Sequence, residues 1–143
     1  MNIKMVDYLR EKYGDRNIEM ILARRLGLSI TNVDGLQNYS MLAGIVFDGK
    51  KKRHTKKVLL DNGLDARHKK FYLAYLISKM LLSQGKSEHA VVISPNSKLG
   101  ENTVSLTKKI LGSEIEIDDI IEEHNPTIKP RQYIRLDMNK KSN

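Results

Sequence analysis

Residues 66–83 constrain the fold of this chain more than any other stretch. Nine of the twelve residues from position 71 to position 82 are large and apolar or aromatic, a density typical of a helix that is buried around most of its circumference. Asp65 stands before the segment as a candidate N-cap, and Gly85 follows it. The sequence therefore predicts a central helix around which the rest of the chain packs.

The size and composition of the chain exclude several classes of protein. Its 143 residues suffice for one domain with a real core, and no apolar run approaches the roughly 20 residues that span a bilayer. Without cysteine there is neither a disulfide nor a thiolate site. The N-terminus is charged from Lys4 onward and has no apolar core of the signal-peptide kind. We expect a soluble, cytoplasmic protein.

The chain is strongly basic, with a net charge of +8 and a pI near 9.6. Such a charge favours an anionic partner, nucleic acid above all, and it is equally typical of a lysine-rich surface that only maintains solubility. Aromatic residues make up 6% of the chain, and we do not expect them to interleave with the basic ones. A stacking platform for single-stranded nucleic acid is therefore not expected.

Apolar periodicity and turn residues predict the remaining elements. The fold class is α+β, with N-terminal helices, a short antiparallel hairpin, the central helix and C-terminal helices, in one domain over residues 1–138. The predicted helices cover residues 2–13, 16–26 (with Asp15 as N-cap), 29–36, 101–111 and 113–123. The predicted strands are 41–47 and 58–60, with a strand or helical turn at 90–93, an edge strand at 132–136 and a disordered tail at 139–143.

Residues 23–33 have the spacing of a helix-turn-helix core, with a small residue, a turn glycine and a β-branched plug. The second helix offers no Arg or Lys for phosphate or guanine, and Asp34 would be repelled by a phosphate backbone. A structural corner between two helices is favoured, and a DNA-binding regulator remains the alternative. The DNA-contacting residues of that alternative would be Arg24, Arg25, Ser29, Thr31 and Asn32.

A run of positive charge lies at the tip of the predicted hairpin. Charge on an edge strand ordinarily discourages pairing between sheets of different molecules, and the same run could bind a phosphate or an acidic protein surface. The residues are Lys50, Lys51, Lys52, Arg53, Lys56 and Lys57.

Four features in order carry a resemblance to a known family. A Gly44-Ile-Val strand precedes the basic hairpin, Val58-Leu-Leu-Asp-Asn follows it, and Arg67-x-x-x-Phe71-Tyr-Leu-Ala enters the central helix. The order resembles the ImmA/IrrE family of zincin-like metallopeptidases over roughly residues 17–112, although most individual matches are hydrophobic. In that family an Arg…Phe-Thr-x-Ala segment runs into H-E-x-x-H, and a later helix carries a third, acidic ligand. The resemblance implies a zincin-like fold.

The positions that carry the family's chemistry hold different residues here. Zinc hydrolysis needs two histidines one helical turn apart and a glutamate that takes a proton from the bound water. In the register of the family motif, Tyr75 and Lys79 stand at the first and second ligand positions. Leu76 stands at the general-base position, and Asn102 stands at the third-ligand position. Leu76 cannot accept a proton, and Lys79 would repel a divalent cation. The resemblance therefore implies a zinc-free pseudoenzyme with no cofactor.

Lys79 has two interpretations. Its ammonium could be buried in place of the metal and paired with Glu101 or Tyr75, or its stem could lie on the core with the charge in water. His68 lacks an obvious co-ligand for a metal, and His124, which is isolated in sequence, is expected to lie at the surface. The acidic residues between positions 114 and 123 are expected to form a solvated helix face.

The resemblance also implies a role. Members of the family are commonly encoded beside repressors of phages or other mobile elements, on which they act. We therefore expect this chain to regulate such a repressor-type protein by binding it, without cleavage and away from membranes. The alternatives are the helix-turn-helix DNA-binding regulator and, third, a metal-dependent hydrolase whose ligands are displaced.

Overall fold

Helices and strands are mixed along the part of the chain that the computed structural model describes, residues 3–14, 16–48, 55–83, 91–112 and 116–124. Within these residues, no helix combines the length and apolar character that crossing a membrane requires. The elements are α1 (Ile3–Tyr13), α2 (Ile18–Arg25), β1 (Leu28–Val33), a short 3₁₀ helix (Leu36–Tyr39), β2 (Ala43–Asp48), β3 (Thr55–Asp61), α3 (Ala66–Ser83), β4 (Val91–Ile93), α4 (Glu101–Leu111) and α5 (Asp118–His124).

The described strands form one mixed sheet in the order β1-β3-β2-β4. Strands β2 and β3 are antiparallel, with Ile45 opposite Val58, and β4 is antiparallel to β2, with Ile93 opposite Ala43. Strand β1 runs parallel to β3, with Ile30 opposite Val58. The α+β class and the hairpin are confirmed, and the sheet extends beyond the predicted hairpin on both sides.

The predicted helix at residues 29–36 is wrong, because residues 28–33 form β1. The side chains alternate: Leu28 is buried and Ile30 half-buried, whereas Ser29 and Thr31 are exposed. Period-two alternation with β-branched residues fits a half-buried strand better than a helix. Gly27, with φ of +74°, follows the end of α2 and redirects the chain into the strand. The helix-turn-helix alternative therefore has no recognition helix.

Helix α3 forms the centre of the core, as predicted. Every residue from position 71 to position 78 is buried, and the helix contacts β2 and β3 on one side and α2 and α4 on the other. Asp65 caps it by accepting a hydrogen bond of 2.8 Å from the His68 backbone N–H. Burial on all sides explains why apolar residues occupy nearly the whole circumference.

The other predictions differ from the structure mainly at element ends. Helices α1 and α4 lie where they were predicted, and residues 91–93 form a strand. Helix α5 begins at Asp118, later than the predicted start at Ser113, and the N-cap position of α2 is Asn17. The predicted N-cap at Asp15 and the predicted helix start at Ser113 are therefore wrong. The predictions for residues 50–53, the strand at 132–136 and the tail at 139–143 lie outside the described residues.

Candidate functional site

Two of the positions that would carry zinc chemistry are part of the packed core. Tyr75 is 4% exposed, and its hydroxyl accepts a hydrogen bond of 3.0 Å from the backbone N–H of Gly100, at the start of α4. Leu76 is completely buried among the apolar side chains around α3. The Tyr75 hydroxyl therefore fastens α4 to α3.

Lys79 lies one turn further along α3 and is exposed to solvent. The interpretation that buries its ammonium in place of a metal is therefore wrong, and the interpretation with the charge in water holds. Asn102 and Glu101 are also exposed, in the first turn of α4. Of the four motif positions, Tyr75 and Leu76 are therefore in the core, and Lys79 and Asn102 are at the surface of the protein.

A small groove of about 100 Å³ separates α3 from β4. Strand β4 is the last strand of the described sheet on this side, and Val92 is 47% exposed. Lys79 and Lys98 contribute positive charge to the groove, and Tyr75 lies within it. The groove therefore combines the edge of a terminal strand with two cations.

His124 is buried, so its predicted surface position is wrong. It is 4% exposed and lies between two hydroxyls, with Nδ1 2.8 Å from the Tyr72 hydroxyl and Nε2 3.1 Å from Ser97 Oγ. Burial lowers the pKa of His124, and burial also raises the pKa of Tyr72. Both side chains are therefore neutral near neutral pH.

A serine beside a histidine suggests a nucleophile and its base, but the hydrogen bonds of this pair make the histidine the donor and the serine the acceptor. Ser97 Oγ donates to the Ser94 carbonyl at 2.8 Å, so it accepts a hydrogen bond from Nε2–H of His124. Nδ1 of the neutral ring then accepts a hydrogen bond from the Tyr72 hydroxyl. A general base would need a free Nε2 lone pair facing the serine. The three side chains instead attach α5 and the 94–100 loop to α3.

His68 has two carboxylate neighbours, contrary to the expectation from sequence. Its Nδ1 lies 2.8 Å from Asp65 and its Nε2 lies 3.3 Å from Glu123 on α5. The hydrogen bond from the His68 backbone N–H is the main reason why the pKa of Asp65 is lowered. Among the described residues, no three acidic or histidine side chains are grouped so that they could hold a metal ion. This contact is a second link between α3 and α5.

The residues of the DNA-binding alternative do not form one surface. Ser29 and Thr31 point to one face of the sheet, and Asn32 points to the other, because side chains alternate along β1. Arg24 and Arg25 are exposed at the end of α2.

Of the basic hairpin, the structure describes the side chains of Lys56, which is half-buried, and Lys57, which is exposed; residues 50–53 lie outside the described residues. No family model, curated protein or solved structure matches this chain.

Proposed function

We propose that this protein is a zinc-free, non-catalytic relative of the ImmA/IrrE peptidases that acts by binding a repressor-type protein of a phage or mobile element. The proposal rests on which residues occupy the positions of the zinc motif and on how exposed these residues are. Leu76 is a fully buried core residue, and Lys79 presents a cation to solvent where the family resemblance requires a second ligand.

The side chains at these positions cannot supply the family's chemistry. Leu76 has no atom that accepts a proton from a bound water. The ammonium of Lys79 would repel a divalent cation, and the hydroxyl of Tyr75 already accepts the Gly100 N–H. The side chains at positions 75, 76 and 79 therefore argue against hydrolysis by the zincin mechanism. We infer that the protein acts by binding.

The groove between α3 and β4 offers a way to bind a protein segment. An extended peptide can add to the edge of a sheet through its main chain, while nearby pockets select its side chains. Here β4 supplies the edge, Val92 supplies an exposed apolar contact, and Lys79 and Lys98 supply charges for acidic side chains. We infer that the partner contributes an extended acidic segment at this edge.

Calorimetric titration of the purified chain with the repressor encoded nearest to its gene tests this proposal. We expect a stoichiometric complex, and we expect Lys79→Glu to weaken it by about tenfold or more, because a like-charge contact at an interface costs several kcal/mol. The matched control is Lys4→Glu, which reverses an exposed charge on α1 and should leave the affinity unchanged.

Two results would count against the proposal. An absence of heat at protein concentrations in the micromolar range would remove the repressor as partner. Equal weakening by Lys79→Glu and Lys4→Glu would show that net charge, and not the groove beside β4, governs the association.

A further inference from the structure

Helices α1 and α2 bring together two tyrosines and three cations on a surface distant in sequence from the motif positions. Tyr8 and Tyr13 on α1 are 51% and 48% exposed. The ammonium of Lys12 lies 5.7 Å from the centre of the Tyr8 ring and 5.4 Å from that of Tyr13. On this surface aromatic and basic residues are interleaved, which the sequence did not predict.

An open groove of about 470 Å³ adjoins the Tyr13 ring. Its described lining residues are Tyr13, Ile21, Arg24 and Arg25, which supply an apolar side chain, two guanidinium groups and, within the part of the chain that the structure describes, no carboxylate. Tyr13 and Arg25 line the groove together, and a hydrogen bond with Arg25 is the largest cause that lowers the pKa of the Tyr13 hydroxyl. We call this surface, with Tyr8 and Lys12, the tyrosine–arginine groove.

Of the three acidic residues on these two helices, two are paired with cations outside the groove, and the third, Glu11, is exposed next to Lys12 on α1. On α2, Glu19 is 2% exposed and is paired with Lys70 of α3. On α1, Asp7 lies 3.3 Å from Lys109 of α4. The cations of the tyrosine–arginine groove therefore remain available to a ligand with several negative charges.

We propose that the tyrosine–arginine groove binds single-stranded nucleic acid, with phosphates on Lys12, Arg24 and Arg25 and a base stacked on Tyr13. Half-exposed aromatic rings beside cations are the combination that proteins use for single strands, because every base has a face to stack and every nucleotide has a charge. This site is separate from the groove beside β4 and does not depend on the function proposed above.

A double strand fits this surface less well. Its bases are already stacked on one another, so they offer Tyr8 and Tyr13 no faces. Reading a major groove requires an inserted helix or ribbon, whereas α2 has eight residues, and its residues Ile18, Glu19, Leu22 and Ala23 are buried in the fold. An acidic protein segment would satisfy the cations but would leave the two rings without a partner.

Fluorescence anisotropy of the full chain with a labelled thymidylate oligomer of about twelve nucleotides tests the proposal, since single-strand sites cover about 4 to 16 nucleotides. We expect binding at about 50 mM salt that weakens towards about 200 mM. Contacts of three cations with phosphates predict a slope of log affinity against log salt of about −2, at about −0.7 per phosphate on a single strand.

Two pairs of variants separate this site from general charge. Arg24→Gln with Arg25→Gln should reduce the magnitude of the slope by about 1.4, whereas Lys79→Gln with Lys98→Gln removes the same charge elsewhere and should leave the slope unchanged. Tyr13→Leu should weaken binding by between about 5-fold and about 150-fold, the range for loss of one stacked base. Tyr13→Phe keeps the ring and should bind nearly as well as the wild type.

Four outcomes would overturn the proposal. The first is no binding at about 50 mM salt, and the second is equal losses from the two charge pairs. The third is a duplex of the same length binding more tightly than the single strand. The fourth is efficient displacement by a polyglutamate peptide at equal charge, which would assign the groove to an acidic protein segment.

Discussion

At the scale of single residues, His124 decides between a catalytic and a structural interpretation. A histidine 3.1 Å from a serine hydroxyl could be a base, but the Tyr72 hydroxyl and the Ser94 carbonyl fix the protons so that Nε2 is a donor. Sequence alone could not show this, because Tyr72, Ser97 and His124 are far apart in the chain and no local spacing connects them. The consequence of burying the neutral ring is a dependence of stability on pH.

The pH dependence has a definite sign. Burial lowers the pKa of His124 below its ordinary value of 6.5, so the unfolded state binds a proton first as the pH falls. Stability contributed by this group is complete above about pH 6.5 and declines as the pH falls towards the folded-state pKa. Between about pH 7.5 and about pH 5.5, we expect wild type to lose up to about 1.4 kcal/mol more unfolding free energy than His124→Gln.

Urea denaturation at the two pH values measures this difference. His68→Gln is the matched control, because it removes a histidine that is partly exposed on α3 and leaves His124 to titrate; this variant should keep the His124 contribution. Equal pH dependence in wild type and His124→Gln would show that the buried ring does not govern acid sensitivity.

At the scale of elements, α3 and β1 show what the sequence can and cannot predict. The apolar density of α3 left no alternative to a buried helix, and the structure confirms it. Before β1, the turn glycine fits both a helix pair and a helix followed by a strand, although the alternation of residues 28–31 favours the strand. What decides between them is parallel pairing with β3, a contact between segments more than twenty positions apart that no local pattern encodes.

The side chain at the general-base position offers a prediction at this scale. Leu76 is completely buried, and Leu82 on the same helix is 42% exposed. Leu76→Ala should cost about 2 to 5 kcal/mol of unfolding free energy, because it removes buried methyl groups and leaves a cavity. Leu82→Ala is the same substitution at a surface position and should cost much less.

Denaturant unfolding of the two variants, side by side, measures the contrast. Similar small losses of unfolding free energy in both variants would mean that position 76 faces a solvent-filled site and not the core. Such a result would weaken the proposal that the protein is non-catalytic.

At the scale of the whole molecule, the described surface carries cations in two grooves, one beside the motif position Tyr75 and the other on α1 and α2. The groove beside β4 carries Lys79 and Lys98, and the tyrosine–arginine groove lies on α1 and α2. Net charge, visible in the sequence, favoured an anionic partner but could not place a surface for it, because Tyr13 and Arg25 line one groove only when α1 packs against α2. The proposal of a protein that binds its partners and does not cleave them rests on this combination of a core without the motif's side chains and two cationic surface grooves.

The intact mass of the partner is the most direct test of this conclusion. The purified chain is incubated with the neighbouring repressor and zinc, and the mixture is examined by mass spectrometry. Because Leu76 cannot take a proton from water and Lys79 repels the metal, we expect the repressor to keep its full mass. Repressor fragments that form with the chain, and that disappear when a chelator is added, would contradict a non-catalytic role.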